Sequence, residues 1–143
     1  MTNDDPVPTI REVPGEPWVA RRRVFRDLHA AGCFVIPNPW DAGSARLLAS
    51  LGFPALATTS AGIAWSLGRS DNHVPLYESL ARIGAIAAAV EVPVNADFEG
   101  GFAVEPERVA ANVARAVLSF VQNDFVTGAC LPVDGGRTVY AGQ

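Results

Sequence analysis

Three oxygen-bearing side chains with alternate-residue spacing, Asn95, Asp97 and Glu99, follow a short apolar run in the segment VPVNADFEGG. On a pleated strand, residues two positions apart point to the same side, so these side chains can converge on one space. Carboxylate and amide oxygens are ligands that hard cations such as Mg²⁺ prefer. The segment therefore predicts a metal site at the end of a strand, although Asp, Asn and Gly are also ordinary turn residues.

Length and composition bound what the chain can be. Its 143 residues fit one domain, and 49% apolar and 18% charged residues are typical of a globular protein. A net charge of -4 gives no reason to expect nucleic acid as a partner. No apolar run approaches the roughly 20 residues needed to span a bilayer, and the acidic N-terminus MTNDDPVP is not a signal peptide. We therefore expect a cytoplasmic protein without a membrane partner.

The rest of the chain alternates between helical and extended apolar patterns. Residues 1–16 are polar and rich in Pro and Gly, which predicts a flexible arm. Helical spacing of apolar residues predicts helices near 17–31, 42–51, 75–90 and 106–118, and compact apolar runs predict strands near 33–36, 55–59 and 92–97. The stretch Thr59–Pro75 between them is long and polar, which predicts a functional loop. Such alternation predicts parallel strands, in a doubly wound sheet or in a barrel.

The polar clusters favour the barrel. Each cluster follows a strand: Asn38, Trp40 and Asp41 after the first, Thr58 to Gly62 after the second, and Asn95 to Gly101 after the third. Barrel sites are assembled at such carboxyl ends of strands, and the GxGxxG fingerprint of a dinucleotide-binding sheet is absent. The predicted fold is therefore α/β, a partial TIM-type (β/α) barrel of about three βα units with outer helices and an irregular or short-strand C-terminal tail.

Longer motifs resemble one known superfamily. The segment FVIPNPWDAGSARLLASLGFPALATTSAGIAWSLGRSDN, with VPVNADFEGGFA downstream, is similar to the isocitrate lyase and phosphoenolpyruvate mutase superfamily, in particular to its carboxyvinyl-carboxyphosphonate phosphorylmutase-like branch. The likeness runs from about residue 22 to about residue 117. It implies a TIM-type barrel that binds Mg²⁺ with a 2-oxo or 2-hydroxy carboxylate and cleaves or forms a C–C or C–P bond beside it.

The resemblance also implies roles for single residues. Thr59, Ser60 and Ala61 match the turn that holds the substrate carboxylate, Trp40 matches an aromatic wall, and Asp71 matches the catalytic loop aspartate that gates the site. Asp97 matches the second acid of the metal-binding pair. Asn95 stands where the family has the first acid, and Glu99 is the candidate for the missing negative oxygen.

The last 25 residues carry a different likeness. FVTGACLPVDGG resembles the C-terminal end of a short-chain dehydrogenase/reductase, so residues 119–143 are predicted to be a dehydrogenase-like tail. In the alternative alignment, VTGACL is the fourth barrel strand. The tail cannot itself be an oxidoreductase of that family, because all 11 basic residues are arginine and its Tyr-x-x-x-Lys pair is missing.

Two classes of function follow. The chain is a Mg²⁺-dependent lyase or phosphonomutase-like enzyme, or an N-terminal fragment of one, acting on a small carboxylate; the alternative is a non-catalytic truncated or fused fragment. A dehydrogenase-related protein is a distant third reading. Since about three βα units leave a barrel open, we also expect self-association.

Overall fold

The computed structural model describes the backbone of residues 17–122 and 129–130 and the side chains of residues 19–117. The described part combines helices with a small sheet, which agrees with the predicted α/β class. The helices are α1 (Pro17–Leu28), α2 (Ala42–Ser50), α3 (Ser60–Ser66), α4 (Leu76–Ala88) and α5 (Pro106–Gln122). The strands are β1 (Leu56–Ala57), β2 (Val94–Asn95) and β3 (Ala129–Cys130).

The three strands pair in parallel, in the order β1-β2-β3. Val94 lies opposite Leu56 on one side and Ala129 on the other. The prediction that the strands near 55–59 and 92–97 are parallel neighbours is confirmed, although both are shorter than predicted. β3 lies within VTGACL, and its pairing agrees with the alternative in which that segment is the next strand of the sheet.

The prediction of a strand at Cys33–Ile36 is wrong, because this run is not a strand in the structure. The chain meets β1 just after this run, where the Ala57 N–H donates to the Pro37 carbonyl oxygen at 3.1 Å. In a parallel ladder the Ala57 carbonyl would accept from residue 39 in return, but Pro39 has no N–H to donate. The side-chain amide of Asn38 donates to that carbonyl instead, at 3.0 Å. Because of this proline, one backbone hydrogen bond and one side-chain hydrogen bond stand in place of a strand ladder. Pro37 and Asn38 therefore lie along the edge of β1 without forming a strand.

The predicted helices are present, and α1 ends sooner than predicted. It ends at Leu28. The N–H of the next residue, His29, bonds to the Arg26 carbonyl three residues back, at 3.0 Å, so the chain continues as a turn and not as an α-helix. The His29 ring is held there too, since its Nδ1 lies 2.7 Å from the Phe25 carbonyl oxygen and its ring meets Phe34 edge to face. The histidine thus joins the end of α1 to the edge segment.

The seven-residue helix α3 is an element that the sequence pattern does not predict. It lies in the stretch Thr59–Pro75, whose composition favours a loop. Thr59 has an extended backbone and its Oγ1 accepts from the Gly62 N–H at 3.2 Å, which makes it the N-cap. Because Ser and Thr favour both turns and N-caps, composition alone does not separate the two.

The core lies between one face of the sheet and the helices α2 to α5. Its largest fully buried members include Leu56, Ile63, Ile83, Ile86 and Val94. From β2 onwards burial alternates strictly. Val94, Ala96 and Phe98 are buried, whereas Asn95, Asp97 and Glu99 are half-buried. This is the alternation expected of a pleated segment that turns its apolar side to the helices and its oxygen-bearing side away from them.

None of the described helices is long and apolar enough to cross a membrane. The predicted N-terminal arm at residues 1–16, and all of the predicted C-terminal tail except β3 and the last turn of α5, lie outside the described residues.

Candidate functional site

Asp97 joins the ends of β1 and β2. Its backbone N–H donates to Thr58 Oγ1 at 2.8 Å. Its carboxylate accepts two backbone N–H groups, with Oδ2 bonded to Ser60 N at 3.0 Å and Oδ1 bonded to Glu99 N at 3.0 Å. Both the backbone and the carboxylate of Asp97 are therefore fixed. Each carboxylate oxygen retains a second lone-pair site with which it can bind a cation.

Thr58 belongs to a polar cluster that the sequence predicts, but its role at the site is not predicted. Its side chain is only 3% exposed and lies on the buried face of the sheet, in register with Leu56. A buried hydroxyl needs a hydrogen-bond partner, and Thr58 has one in the Asp97 N–H. The signal that could have found it is a hydroxyl at a core-facing position of an apolar strand.

Glu99 lies among negative charges. Burial raises the pKa of its carboxyl group, and the nearby charges of Asp71 and Asp97 raise the pKa further. Its backbone φ of +49° is in the left-handed region, which non-glycine residues seldom adopt and which is common at functional sites. The three acids predicted from sequence therefore share one electrostatic environment.

Asp71 lies in the loop between α3 and α4 and is exposed. Its Oδ1 accepts from the Asn72 N–H at 2.9 Å, and its carbonyl oxygen lies 2.8 Å from His73 Nδ1. These local bonds shape the loop tip. Its carboxylate is near enough to Glu99 to act on the titration of that group.

The turn Thr59–Ser60–Ala61 opens α3. Two of its donors and acceptors are already used, since Thr59 Oγ1 accepts from Gly62 and the Ser60 N–H donates to Asp97. The Ala61 N–H makes no hydrogen bond within the part of the chain that the structure describes. The predicted carboxylate-binding turn and the predicted metal ligand are thus in direct contact.

Trp40 stands on the other flank of this turn. It precedes α2, whose N-cap Asp41 accepts from the Ser44 N–H at 2.6 Å. The hydrogen bonds of the Asp41 carboxylate with the backbone and side chain of Ser44 lower the pKa of Asp41. Trp40 packs against the first turn of α3 and borders a pocket of about 500 Å³. The pocket is lined by Asn38, Trp40, Thr59, Ala61, Gly62, Trp65 and Ser66.

The predicted metal ligands are two carboxylates and one amide. Among the described residues, no three His, Cys, Asp or Glu side chains lie close enough together to hold a metal ion. Asn95 lies on β2 and is half-buried, on the same side as Asp97. The arrangement offers oxygen ligands and a negative field, but not a closed cage of acids.

Comparison with known proteins identifies the family. The family model for phosphoenolpyruvate phosphomutase matches residues 25–121, more than half of the chain. The chain belongs to this family. The superfamily resemblance read from the sequence is therefore confirmed, and the matched region contains every predicted site residue from Trp40 to Glu99.

Individual members of the phosphoenolpyruvate phosphomutase family and its superfamily are similar over part of their length. An uncharacterized protein of Mycobacterium tuberculosis is 38% identical over 92 residues, which are 64% of this chain and 36% of the relative. A solved structure from Burkholderia cenocepacia, provisionally assigned as a lyase or mutase, is 47% identical with a TM-score of 0.68, over 72% of this chain and 38% of that one.

The solved 2,3-dimethylmalate lyase, a member of the PEP mutase/isocitrate lyase superfamily, is 30% identical with a TM-score of 0.58. The match covers 73% of this chain and 36% of the lyase. The chain thus spans little more than a third of the length of each of these relatives.

Proposed function

We propose that this chain carries the metal- and carboxylate-binding part of a Mg²⁺-dependent lyase or phosphonomutase-like enzyme. Its described elements would form βα units of a TIM-type barrel. The reaction would cleave or form a C–C or C–P bond next to a 2-oxo or 2-hydroxy carboxylate. The observation that carries the proposal is the hydrogen bond from the Ser60 N–H to the Asp97 carboxylate, because it joins a candidate substrate-binding turn to a candidate metal ligand.

The residues present fit Mg²⁺. Their ligand atoms are all oxygens, and Mg²⁺ in proteins uses one or two carboxylates while it keeps several waters, so a cage of three acids is not required. Burial raises the pKa of Glu99 most, and repulsion from Asp71 and Asp97 raises it further; a cation among the three acids would relieve that repulsion. Asp97 is the principal candidate ligand, with Asn95 and Glu99 beside it. When bound, Mg²⁺ polarises a substrate oxygen and stabilises negative charge on it.

The turn Thr59–Ser60–Ala61 is the candidate site for the substrate carboxylate. Backbone N–H groups held in a turn stabilise a carboxylate or oxyanion without having to reorient. The Ala61 N–H has no partner among the described residues, and the Ser60 N–H is bonded to Asp97. A substrate carboxylate would take over the Ser60 N–H, which leaves the freed Oδ2 of Asp97 available to a cation.

Asp71 is the candidate catalytic residue. Its position in an exposed loop supports this proposal, and its charge contributes, after burial, to the raised pKa of Glu99. A carboxylate there can accept a proton from a substrate hydroxyl as a neighbouring bond breaks.

The second candidate function is a non-catalytic fragment that keeps half of the pocket. Two observations favour it: the chain spans little more than a third of its relatives, and Asn95 supplies no charge where the family has an acid. The 2,3-dimethylmalate in the name of the related lyase is a 2-hydroxy dicarboxylate, so that substrate class separates the two candidates most directly.

The test is a calorimetric titration of Mg²⁺ into the full chain and its variants, followed by assays of oxo-acid release from a panel of 2-hydroxy dicarboxylates. Asp97→Asn should weaken Mg²⁺ binding by more than the ~10-fold that loss of an outer partner typically costs, and should abolish turnover. Asn95→Asp should tighten binding, because it restores a charged ligand.

A matched control is Asp27→Asn, which makes the same chemical change at an exposed position on α1. It should leave Mg²⁺ binding unchanged. If the wild type gives no Mg²⁺ response and Asn95→Asp gains none, the enzyme proposal is wrong and the fragment is the function that remains.

A further inference from the structure

The pocket between Trp40 and Trp65 has a chemistry unlike that of the acidic side of the turn. None of its described lining residues is charged, and its walls are two indole rings. Both rings are open to solvent, with Trp40 47% exposed and Trp65 70% exposed. Aromatic surface of this size that the chain's own core leaves uncovered is characteristic of a binding site.

The geometry of α3 builds this pocket. Residues four apart lie on the same face of a helix, so Ala61 stands beside Trp65 and Gly62 stands beside Ser66. The glycine matters because a Cβ at position 62 would lie 3.2 Å from Trp40 Cβ. Its absence lets Trp40 approach the helix closely. The two tryptophans therefore line one pocket together with the start of α3.

The floor of the pocket is also part of the candidate carboxylate turn. Thr59 and Ala61 belong to both, whereas Asp97 contacts the turn at Ser60. A molecule whose carboxylate is bound by the turn therefore has Asp97 near its carboxylate and can extend another group into the pocket lined by the two tryptophans. The group it can place between the rings must be uncharged, because no charged side chain lines that space.

We propose that the Trp40–Trp65 pocket binds an apolar substituent of the substrate, so that this chain selects 2-oxo carboxylates with an alkyl or aryl chain over pyruvate. The inference rests on the proposed function, since it takes the carboxylate to be bound at Thr59–Ala61. The pocket volume of about 500 Å³ accommodates a chain of several carbons. Trp65 is then a residue that determines specificity without taking part in bond breaking.

The test is a calorimetric titration of the full chain, in Mg²⁺, with pyruvate, 2-oxobutanoate, 2-oxopentanoate and 2-oxohexanoate. Burial of each added CH₂ should tighten binding about fourfold, which corresponds to ~0.8 kcal/mol. Trp65→Ala should remove most of that gain while pyruvate binding stays unchanged, and Trp65→Phe should retain part of it. Because Trp65 is largely exposed, these variants should fold, which circular dichroism checks.

Leu47→Ala is the matched control. Leu47 is also an exposed apolar residue, at 61%, and it lines a neighbouring pocket that shares Asn38 and Trp40 with the first but not Trp65. Its replacement should leave the dependence on chain length unchanged, and an equal loss in Leu47→Ala would overturn the assignment to the Trp40–Trp65 pocket.

Three other results would overturn the inference. If pyruvate binds but longer acids bind no better, or if their gain survives in Trp65→Ala, the subsite is wrong while the proposed function stands. If Trp65→Ala changes self-association and not the chain-length dependence, Trp65 is a contact between copies. If no oxo acid binds at all, the subsite is overturned, whereas the proposed function is decided separately by Mg²⁺ binding and by turnover of 2-hydroxy dicarboxylates.

Discussion

A buried hydroxyl that directly follows β1 holds an acid at the end of β2. Thr58 Oγ1 is the acceptor for the Asp97 N–H, and this bond lies beside the two that orient the Asp97 carboxylate. Thr58 touches neither substrate nor metal in the proposed function. It is a positioning residue, and its effect on the site should pass entirely through Asp97.

Thr58→Val replaces the hydroxyl by a methyl group of similar shape. It leaves the Asp97 N–H without its partner, so we expect it to lower the free energy of unfolding by about 1–3 kcal/mol and to weaken Mg²⁺ binding. Urea unfolding and Mg²⁺ calorimetry measure the two effects. Thr58→Ser keeps the hydroxyl and should restore Mg²⁺ binding. A Val variant with unchanged Mg²⁺ affinity would show that the bond does not position the carboxylate.

The raised pKa of Glu99 predicts how stability depends on pH. The folded chain binds the Glu99 proton more tightly than the unfolded chain, so this residue's contribution to the free energy of unfolding falls as pH rises through the window between the two pKa values. Glu99→Gln removes that loss. It should therefore raise the melting temperature at about pH 7 and have little effect below about pH 4, where the glutamate is protonated in both states.

Thermal unfolding of both proteins between about pH 4 and pH 8 measures this difference. Glu107→Gln is the control, because Glu107 is an exposed acid in the first turn of α5, where negative charge is favourable. Its replacement should lower or leave unchanged the melting temperature at pH 7. A Glu99→Gln variant that is less stable than the wild type at pH 7 would contradict the prediction.

At the scale of elements, α3 depends on the absence of a side chain at Gly62. A Cβ at Gly62 would lie 2.5 Å from Thr59 Cγ2, closer than real contacts allow, and would also press on Trp40. Gly62→Ala should therefore displace the N-cap of α3 and lower the free energy of unfolding by about 1–3 kcal/mol, despite the better helix propensity of alanine. Chemical denaturation measures it, and the exposure of Trp40 should change as well.

Gly43→Ala is the matched substitution in the first turn of α2. Its Cβ would meet only Asp41 Oδ1, at an ordinary 3.4 Å. It should be neutral or stabilise the chain by up to about 1 kcal/mol. If both variants lose the same stability, the close approach at Gly62 is not the cause.

Regular patterns let the sequence predict the larger elements, and particular residues explain its failures. The apolar runs at Leu56 and Val94 predict parallel neighbours because continuous burial is typical of strands covered by helices. The first strand is not formed, and Pro39 limits pairing of the segment that follows it with β1, since proline removes a ladder bond that periodicity does not register. The cap at Thr59 similarly creates α3 from residues that are equally typical of turns.

Site residues were predictable where a side chain follows a strand. Asn95, Asp97 and Glu99 could be placed on one side from their spacing alone, and burial alternates as that spacing requires. Thr58 falls in a predicted polar cluster, but its role could not be predicted, and Trp65 could not be predicted as a site residue, because each depends on a partner distant in sequence. The Asp97 N–H gives Thr58 its acceptor role, and helix α3 brings Trp65 into the pocket that Trp40 also lines.

At the scale of the whole molecule, the described sheet has an edge with no strand beside it. The segment after α1 meets that edge through Pro37 and Asn38, and Val35, two residues before Pro37, is 64% exposed. A TIM-type barrel takes about eight strands and 250 residues to close, whereas this chain covers 38% of a related solved structure. Backbone groups and apolar side chains at such an edge favour pairing with another chain.

We therefore expect the 143-residue chain to self-associate through this edge. Its apparent mass in size-exclusion chromatography with light scattering should rise with concentration. Val35→Lys puts a charge on the edge and should shift the chain toward monomer, whereas Val104→Lys, at a 91% exposed position outside the sheet, should not. A concentration-independent monomer that melts well above the ordinary range of about 45–65 °C would contradict the expectation, because the open edge would then not lower the stability of the monomer.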